Sequence, residues 1–158
     1  MLGDGQRKGL ARGGRFAAML AALVVGGALV LPRAERRPEA EAADVLPAQP
    51  FSESALAAAR GSGHPVFAYF TADWCLTCKV NERVSIERDD TRDTFARAGV
   101  VVMKGDWTRR DAAITRFLTA HGAAGVPLYV WYPAGGGEGR VLPQVLTPAL
   151  LAGLPAGR

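Results

Sequence analysis

The chain has few of the residues that hold metal ions. Its 158 residues include only two cysteines and two histidines. A zinc site needs four ligands at short spacings, and His64 and His121 stand at no such spacing from each other or from the cysteines. Haem attachment needs a histidine directly after a Cys-x-x-Cys pair, and Lys79 occupies that position. The sequence therefore predicts no metal site.

A strong excess of one charge is also missing from most of the chain. Residues 1–44 carry seven Lys or Arg and five Asp or Glu, whereas residues 45–158 carry twelve and ten. Nucleic-acid-binding proteins present a basic face, often with interleaved aromatic residues. The second range has no such pattern, so we expect no nucleic-acid partner.

The sequence contains a single long apolar run, at residues 16–31. Its sixteen residues come close to the roughly 17–25 that span a bilayer, and basic residues precede it. We predict a cytoplasmic N-terminus at 1–15 and a single transmembrane anchor at 16–31. One alternative is a signal peptide cleaved near Ala40-Glu41-Ala42. The other is a buried core helix, which is disfavoured by the apolarity of every face, the Gly26-Gly27 pair and Pro32.

The next segment, 32–50, is rich in Ala, Glu, Pro and Arg and has no periodic apolar face, which predicts a linker. Residues 51–158 then form one domain. Its patterns predict helices and strands in alternation, with a parallel central strand pair and a hairpin at the edge. We expect an α/β fold, a mixed central sheet with helices on both faces. The predicted helices are 55–60, 75–88, 90–98, 110–121 and 147–154, and the predicted strands are 66–70, 100–104, 128–132 and 140–142.

The only two cysteines stand in the segment Trp74-Cys75-Leu76-Thr77-Cys78-Lys79. A disulfide across two residues closes a small ring, which removes little chain entropy and suits electron exchange better than stabilisation. A predicted strand delivers this pair to the start of a predicted helix, the context of a redox-active Cys-x-x-Cys. A purely structural disulfide is the alternative.

Each residue at this site has an expected role. Cys75 stands at the helix N-terminus, where backbone N–H groups favour a thiolate, so we expect it to be the exposed nucleophile. Cys78, one turn further, is the buried resolving cysteine. Trp74 packs beside the pair and limits access, or is a core aromatic. Glu82 lies four residues after Cys78 on the same side of the helix, where its carboxylate disfavours thiolates or accepts a proton; the alternative is an ordinary solvated glutamate.

Three blocks of sequence make the match more specific: Phe70-Thr71-Ala72-Asp73-Trp74-Cys75-Leu76-Thr77-Cys78-Lys79-Val80-Asn81-Glu82, Lys104-Gly105-Asp106-Trp107-Thr108 and Gly125-Val126-Pro127-Leu128-Tyr129. Over roughly residues 48–155 the chain resembles the C-terminal thioredoxin-like domain of bacterial DsbD-type protein-disulfide reductases. The resemblance implies a thioredoxin-like fold in which Cys75 attacks, Cys78 resolves and Glu82 tunes the pair. It also implies that Pro127 is a cis proline facing the cysteines, where the backbone of Val126 pairs with a substrate peptide.

The resemblance further implies a domain in the bacterial periplasm. With the anchor predicted at 16–31, this domain would be held by a single span in the inner membrane. Its partners would be a membrane-embedded dithiol module that donates electrons and periplasmic proteins that contain disulfides. No cofactor is expected beyond the redox-active Cys75–Cys78 disulfide. The chain departs from the family at Tyr69, six residues before Cys75, where an Asp is frequent, and it lacks the family's N-terminal domain and multi-span module.

Two other functions remain open. One is a non-enzymatic module that binds copper(I) through the two thiolates, although no Met or His cluster lies near Cys75 in the sequence. The other is an orphan C-terminal fragment of a larger transmembrane reductase. We expect a thiol–disulfide oxidoreductase that works as a reductase, because a carboxylate near the thiols makes the reduced form less stable.

Overall fold

The computed structural model describes residues 45–157. In this part of the chain, helices surround a five-stranded sheet with the strand order β1–β3–β2–β4–β5. The strands are β1 (Gln49–Pro50), β2 (Val66–Thr71), β3 (Val101–Asp106), β4 (Leu128–Tyr132) and β5 (Arg140–Val141). The helices are α1 (Glu53–Gly61), α2 (Leu76–Asn81), α3 (Asp89–Arg97), α4 (Ala112–Ala120) and α5 (Pro148–Gly153), and a π-helical turn, Glu82–Ile86, follows α2 directly.

The sheet is mixed, as the sequence predicts. The central strands β2 and β3 are parallel, β1 is parallel to β3, and β4 is antiparallel to both β2 and β5. Thr71 pairs with Asp106 and Phe70 pairs with Leu128. The ends of β2 and β3 therefore lie at the same edge of the sheet as the start of β4, and the loops that meet there form one surface.

Helices cover both faces of the sheet. All six residues of β2 are buried, which is the pattern of a strand covered on both sides. Its alternate side chains enter two separate cores. One core joins the sheet to α1 and α4, and its members include Leu56, Ala59, Val66, Ala68, Phe70, Ile114, Phe117 and Leu118. The other joins it to the π turn, α3 and α5, and includes Phe67, Tyr69, Ile86, Phe95, Tyr129, Trp131 and Leu151.

The prediction of a linker through residue 50 is wrong for residues 45–50. Leu46 is 2% exposed, and its N–H donates to the Glu87 carboxylate at 2.9 Å. Strand β1 then pairs with β3 at the edge of the sheet. A two-residue strand has no alternation to detect, and its Pro50 is tolerated because it lies on an edge strand. Its partner also lies some fifty residues further along the chain.

The helix predicted over residues 75–88 is not a single α-helix. After Asn81 the backbone widens into the π turn, where the N–H of Glu87 donates to the carbonyl oxygen of Glu82 at 2.7 Å. Single π turns within helices are often found at functional sites. The sequence does not predict the change from α-helix to π turn, because the same periodicity of apolar residues is expected for both.

The predicted cytoplasmic segment at 1–15, the membrane anchor at 16–31 and residues 32–44 of the linker lie outside the described residues. Among residues 45–157, the helices are too short or too polar to cross a bilayer.

Gly105 in β3 gives a test of the packing between the sheet and α4. A Cβ at this position would collide with the ring of Phe70 on the neighbouring strand. We expect Gly105→Ala to lower the free energy of unfolding by about 2 kcal/mol or more, because a close-packed core has no room for an added methyl group. Urea unfolding of the full chain measures the change.

Gly61→Ala is the matched control, because no atom lies within 4 Å of its added methyl group. It should change the free energy of unfolding by less than about 0.5 kcal/mol. Equal effects of the two substitutions would contradict the packing described here.

Candidate redox site

Cys75 and Cys78 form a disulfide at the edge of the sheet where β2 ends, with their Cα atoms 5.2 Å apart. Cys75 is the N-cap residue of α2, and its Sγ accepts a hydrogen bond from the backbone N–H of Cys78 at 3.2 Å. When the disulfide is reduced, an N–H donor in this position stabilises negative charge on Cys75. The geometry therefore favours Cys75 as the attacking thiolate.

Cys75 is more exposed to solvent than Cys78, but the difference between them is smaller than the sequence predicts. Cys75 is 7% exposed and Cys78 is fully buried. Cys75 was expected to be exposed, and it is mostly buried because it packs together with Ala72, Cys78 and the side chain of Val126. Cys75 is nevertheless the more accessible of the two cysteines.

Val126 and Pro127 lie opposite the cysteines. The peptide bond between them is cis, and β4 begins at the next residue, Leu128. The Val126 side chain packs on the cluster that contains both cysteines. This contact brings the proline loop and the Cys-x-x-Cys segment to the same surface, although they are fifty residues apart in the sequence.

Trp74 lies on the outside of this surface and is 54% exposed. It is therefore not a core aromatic. Its indole Nε1–H donates to the carbonyl oxygen of Thr108 at 3.2 Å, and its ring centroid lies 5.9 Å from that of Trp107. These contacts fix a large, half-exposed side chain in the residue before Cys75; that it limits access to the disulfide stays a prediction.

Glu82 is largely buried, since only 15% of its side chain is exposed. One carboxylate oxygen accepts a hydrogen bond from the hydroxyl of Thr71, and the other lies 3.0 Å from the Lys79 ammonium group. Glu82 is therefore not an ordinary solvated residue. Tyr69, where related domains often have an acid, is buried in the core and stacks on Phe67.

Asn81 is a structural part of the site that the sequence analysis missed. It is buried, and its amide nitrogen donates to the Tyr129 hydroxyl at 2.8 Å and to the Gln144 carbonyl oxygen at 2.7 Å. Its amide oxygen accepts the N–H of Leu146 at 3.1 Å. These bonds fasten α2 to β4 and to the segment after β5. An asparagine inside a predicted helix is a weak signal, because its partners lie 48–65 residues away.

The described residues contain no cluster that suits a metal. Between residues 45 and 157, no three His, Cys, Asp or Glu side chains lie close enough to hold an ion. The two sulfurs alone could act as soft ligands. The absence of a cofactor other than the disulfide stays a prediction.

The arrangement provides the parts that thiol–disulfide exchange requires. A sulfur at a helix N-terminus attacks a disulfide, a second sulfur one turn away displaces the product, and a backbone loop opposite them can hold an extended chain. A mixed sheet between helices that carries such a pair beside a cis proline defines the thioredoxin class of thiol–disulfide oxidoreductases.

Sequence comparison agrees with this class. A family model described as thioredoxin-like matches residues 47–134, which is more than half of the chain. The chain belongs to the thioredoxin-like family.

Curated relatives place the domain more narrowly. The thiol:disulfide interchange protein DsbD of Ralstonia nicotianae is 34% identical over 89 residues, and that of Cronobacter sakazakii is 31% identical over 96. These matches cover 56% and 59% of this chain but only 14% and 16% of the relatives. The chain thus corresponds to a small part of those proteins, its thioredoxin-like domain is of the DsbD type, and its cysteine pair is that of a thiol–disulfide oxidoreductase.

Solved structures show the same fold. The C-terminal domain of Neisseria meningitidis DsbD in the reduced form superimposes with a TM-score of 0.53 at 19% identity, covering 69% of this chain and 98% of that domain. A thioredoxin from Halobacterium salinarum gives a TM-score of 0.53 at 21% identity, covering 72% of this chain and 91% of its own.

Tyr129 provides a pH test of how α2 is attached. Burial raises the pKa of Tyr129 to about 12, although its hydrogen bond from Asn81 opposes the shift. An unfolded tyrosine ionises near pH 10, so the folded protein holds this proton more tightly than the unfolded chain. The free energy of unfolding should therefore fall by about 1 kcal/mol between pH 9 and 11 from this residue alone.

Tyr129→Phe should remove that part of the decline, as measured by urea unfolding at several pH values. Tyr132, whose pKa is also raised by burial, stays in place and keeps its own contribution. An unchanged alkaline slope in Tyr129→Phe would show that the hydroxyl is not held as described.

Proposed function

We propose that this chain is a membrane-anchored protein-disulfide reductase of the bacterial periplasm, which passes electrons through Cys75 and Cys78 to substrate proteins. The observation that carries the proposal is the position of the pair: Cys75 caps α2 beside the cis Val126–Pro127 bond. The apolar run at 16–31 supports the inner-membrane anchor. The relatives are named thiol:disulfide interchange proteins, which supports exchange with redox partner proteins. In our proposal, the electron donor is a membrane-embedded dithiol module and the acceptors are periplasmic proteins that contain disulfides.

The reaction follows from the two sulfurs. In the reduced protein, the Cys75 thiolate attacks one sulfur of a substrate disulfide, which forms a mixed disulfide and releases the other substrate sulfur as a thiolate. Cys78 then loses its proton and attacks Sγ of Cys75. This step frees the second substrate thiolate and closes the Cys75–Cys78 bond. Two electrons reach the substrate, and two protons complete its thiols.

Glu82 has two proposed roles in this sequence. Its carboxylate lies one turn beyond Cys78 and is largely buried, so it can accept the Cys78 proton as the mixed disulfide resolves. Its negative charge also makes a nearby thiolate less favourable. A less stable reduced form gives up electrons more readily, which favours reduction of substrates over their oxidation.

Substitution of each cysteine tests the mechanism. Cys75→Ser should abolish disulfide reduction, because the attacking sulfur is lost. Cys78→Ser should form mixed disulfides that persist, because nothing displaces the bound substrate. Non-reducing electrophoresis after mixing each reduced variant with a peptide disulfide distinguishes the two results.

The proposal fails if Cys78→Ser captures no peptide and the wild-type protein reduces no model disulfide. Stoichiometric copper after purification under reducing conditions, together with such inactivity, would point instead to a metal-binding module.

Glu82→Gln tests the direction of electron flow. The wild-type Cys75–Cys78 pair should titrate at a more reducing potential than glutathione. Removal of the carboxylate charge should raise that potential by about 15 to 30 mV, because the reduced form becomes easier to ionise. Equilibration against glutathione buffers, with the thiols counted by alkylation, gives both values.

Glu53→Gln is the control for this experiment, since Glu53 is an exposed carboxylate in the first turn of α1. It should leave the potential unchanged. A wild-type potential above that of glutathione would contradict the role of reductase, and an unchanged potential in Glu82→Gln would contradict the electrostatic role of Glu82.

A further inference from the structure

Trp107, the residue after β3, contacts both sides of the redox surface. It is only 7% exposed. On one side its ring lies 5.9 Å from the ring of Trp74, at an angle of 56°. On the other side it lies against Gly125, where an added Cβ would stand 3.2 Å from the indole Cζ3. Gly125 directly precedes the cis Val126–Pro127 bond, so Trp107 separates Trp74 from the proline loop.

The Trp107 ring is itself held from two directions. Its Nε1–H donates to the Thr115 hydroxyl of α4 at 2.8 Å. The Arg110 guanidinium lies over the ring, 5.4 Å from its centroid, and Arg110 has a positive φ of 54°. A positive φ is uncommon for residues other than glycine, and here it places the Arg110 side chain in a cation–π contact with the indole. The indole has a fixed place and little freedom to tilt.

The neighbouring Thr108 attaches the same loop to the Cys-x-x-Cys segment. Its hydroxyl accepts the N–H of Asp73 at 3.0 Å, and its carbonyl oxygen accepts the indole N–H of Trp74 at 3.2 Å. Its own N–H donates to the Asp106 carboxylate at 2.8 Å. Partial burial opposes ionisation of Asp106, but the hydrogen bonds from Thr108 hold the pKa of that carboxyl below its usual value. The loop after β3 is therefore attached by hydrogen bonds to the residues before Cys75.

We propose that Trp107 is a positioning residue that sets the spacing between Trp74 and the loop of Val126, and that an extended polypeptide lies between these two walls, in a groove they form, during disulfide exchange. The inference rests on the proposed function. Trp107 contacts Trp74 on one side and Gly125, the residue before Val126, on the other. Neither cysteine belongs to its core cluster, so it acts on peptide binding and not on the sulfur chemistry. Small disulfides, which do not fill the groove, are insensitive to it.

Single-turnover kinetics of the full chain can test this role. The reduced protein is mixed with excess bis(hydroxyethyl) disulfide or with a short peptide that carries a disulfide, and loss of the disulfide is followed by chromatography. Trp107→Phe should raise the half-saturating peptide concentration about tenfold, because a smaller ring no longer supports both walls. The maximal rate and the rate with the small disulfide should stay within about twofold of wild type.

Trp131→Phe is the matched control, since Trp131, on β4, is also buried but belongs to the core on the opposite face of the sheet. This control should leave the half-saturating peptide concentration, the maximal rate and the rate with the small disulfide unchanged. Gly125→Ala provides a second route that keeps the indole, because the added methyl group pushes on its edge. It should weaken peptide binding in the same selective way, and it decides the question if Trp107→Phe does not fold.

Three outcomes would overturn the inference: equal losses with both disulfides, no loss with either, or a selective loss that Trp131→Phe reproduces. Wild-type protein that reduces neither disulfide would reject the proposed function, and the inference with it. Wild-type turnover without a selective effect in Trp107→Phe and Gly125→Ala would reject the inference alone.

Discussion

The hydrogen bond from the Cys78 N–H to the Cys75 sulfur is the contact on which the site depends. It exists only because α2 begins immediately after Cys75, so that the first free N–H groups of the helix point at that sulfur. The start of the helix is set in turn by β2. Every residue of this strand is buried, and alternate side chains fill different cores, so a one-residue slip in register would exchange the side chains of the two cores and disrupt the packing of both. The core of the sheet thereby determines where the redox pair stands.

Polar contacts then fix the rotation of the helix that carries the pair. The outward face of α2 and the π turn includes the exposed side chains of Leu76, Val80 and Val84. Its inward face is held by hydrogen bonds of Asn81 and by the Ser85 hydroxyl, which donates to the Leu146 carbonyl oxygen at 2.9 Å. Buried polar groups are costly unless they are paired, so this face cannot turn outward without leaving several of them unsatisfied. The orientation of Cys78 is therefore specified more strictly than apolar packing alone would achieve.

The local features of the chain could be predicted from its sequence, and the long-range ones could not. Residues 66–70 and 128–132 are mostly aromatic or β-branched, and two residues separate the cysteines, so the strands and the motif can be recognised in the sequence. Strand β1 and the bonds of Asn81 depend on partners far along the chain, and local periodicity carries no information about them. Trp107 belongs to one of the sequence blocks that carry the family resemblance, but its position between Trp74 and Gly125 follows only from the folded structure.

The charges near the pair explain how the fold tolerates a buried acid at this place. Glu82 is removed from most of the solvent, and a carboxylate loses solvation there. The Thr71 hydroxyl and the Lys79 ammonium group replace part of that solvation, and Lys79 also lies 3.9 Å from Asp73. The same Lys79 offsets part of the repulsion between Glu82 and a thiolate, because it brings a positive charge to the same turn of the helix. The electrostatic role proposed for Glu82 therefore depends on Lys79 as well, because the positive charge of Lys79 lies 3.0 Å from the same carboxylate and would limit how far Glu82 disfavours a thiolate.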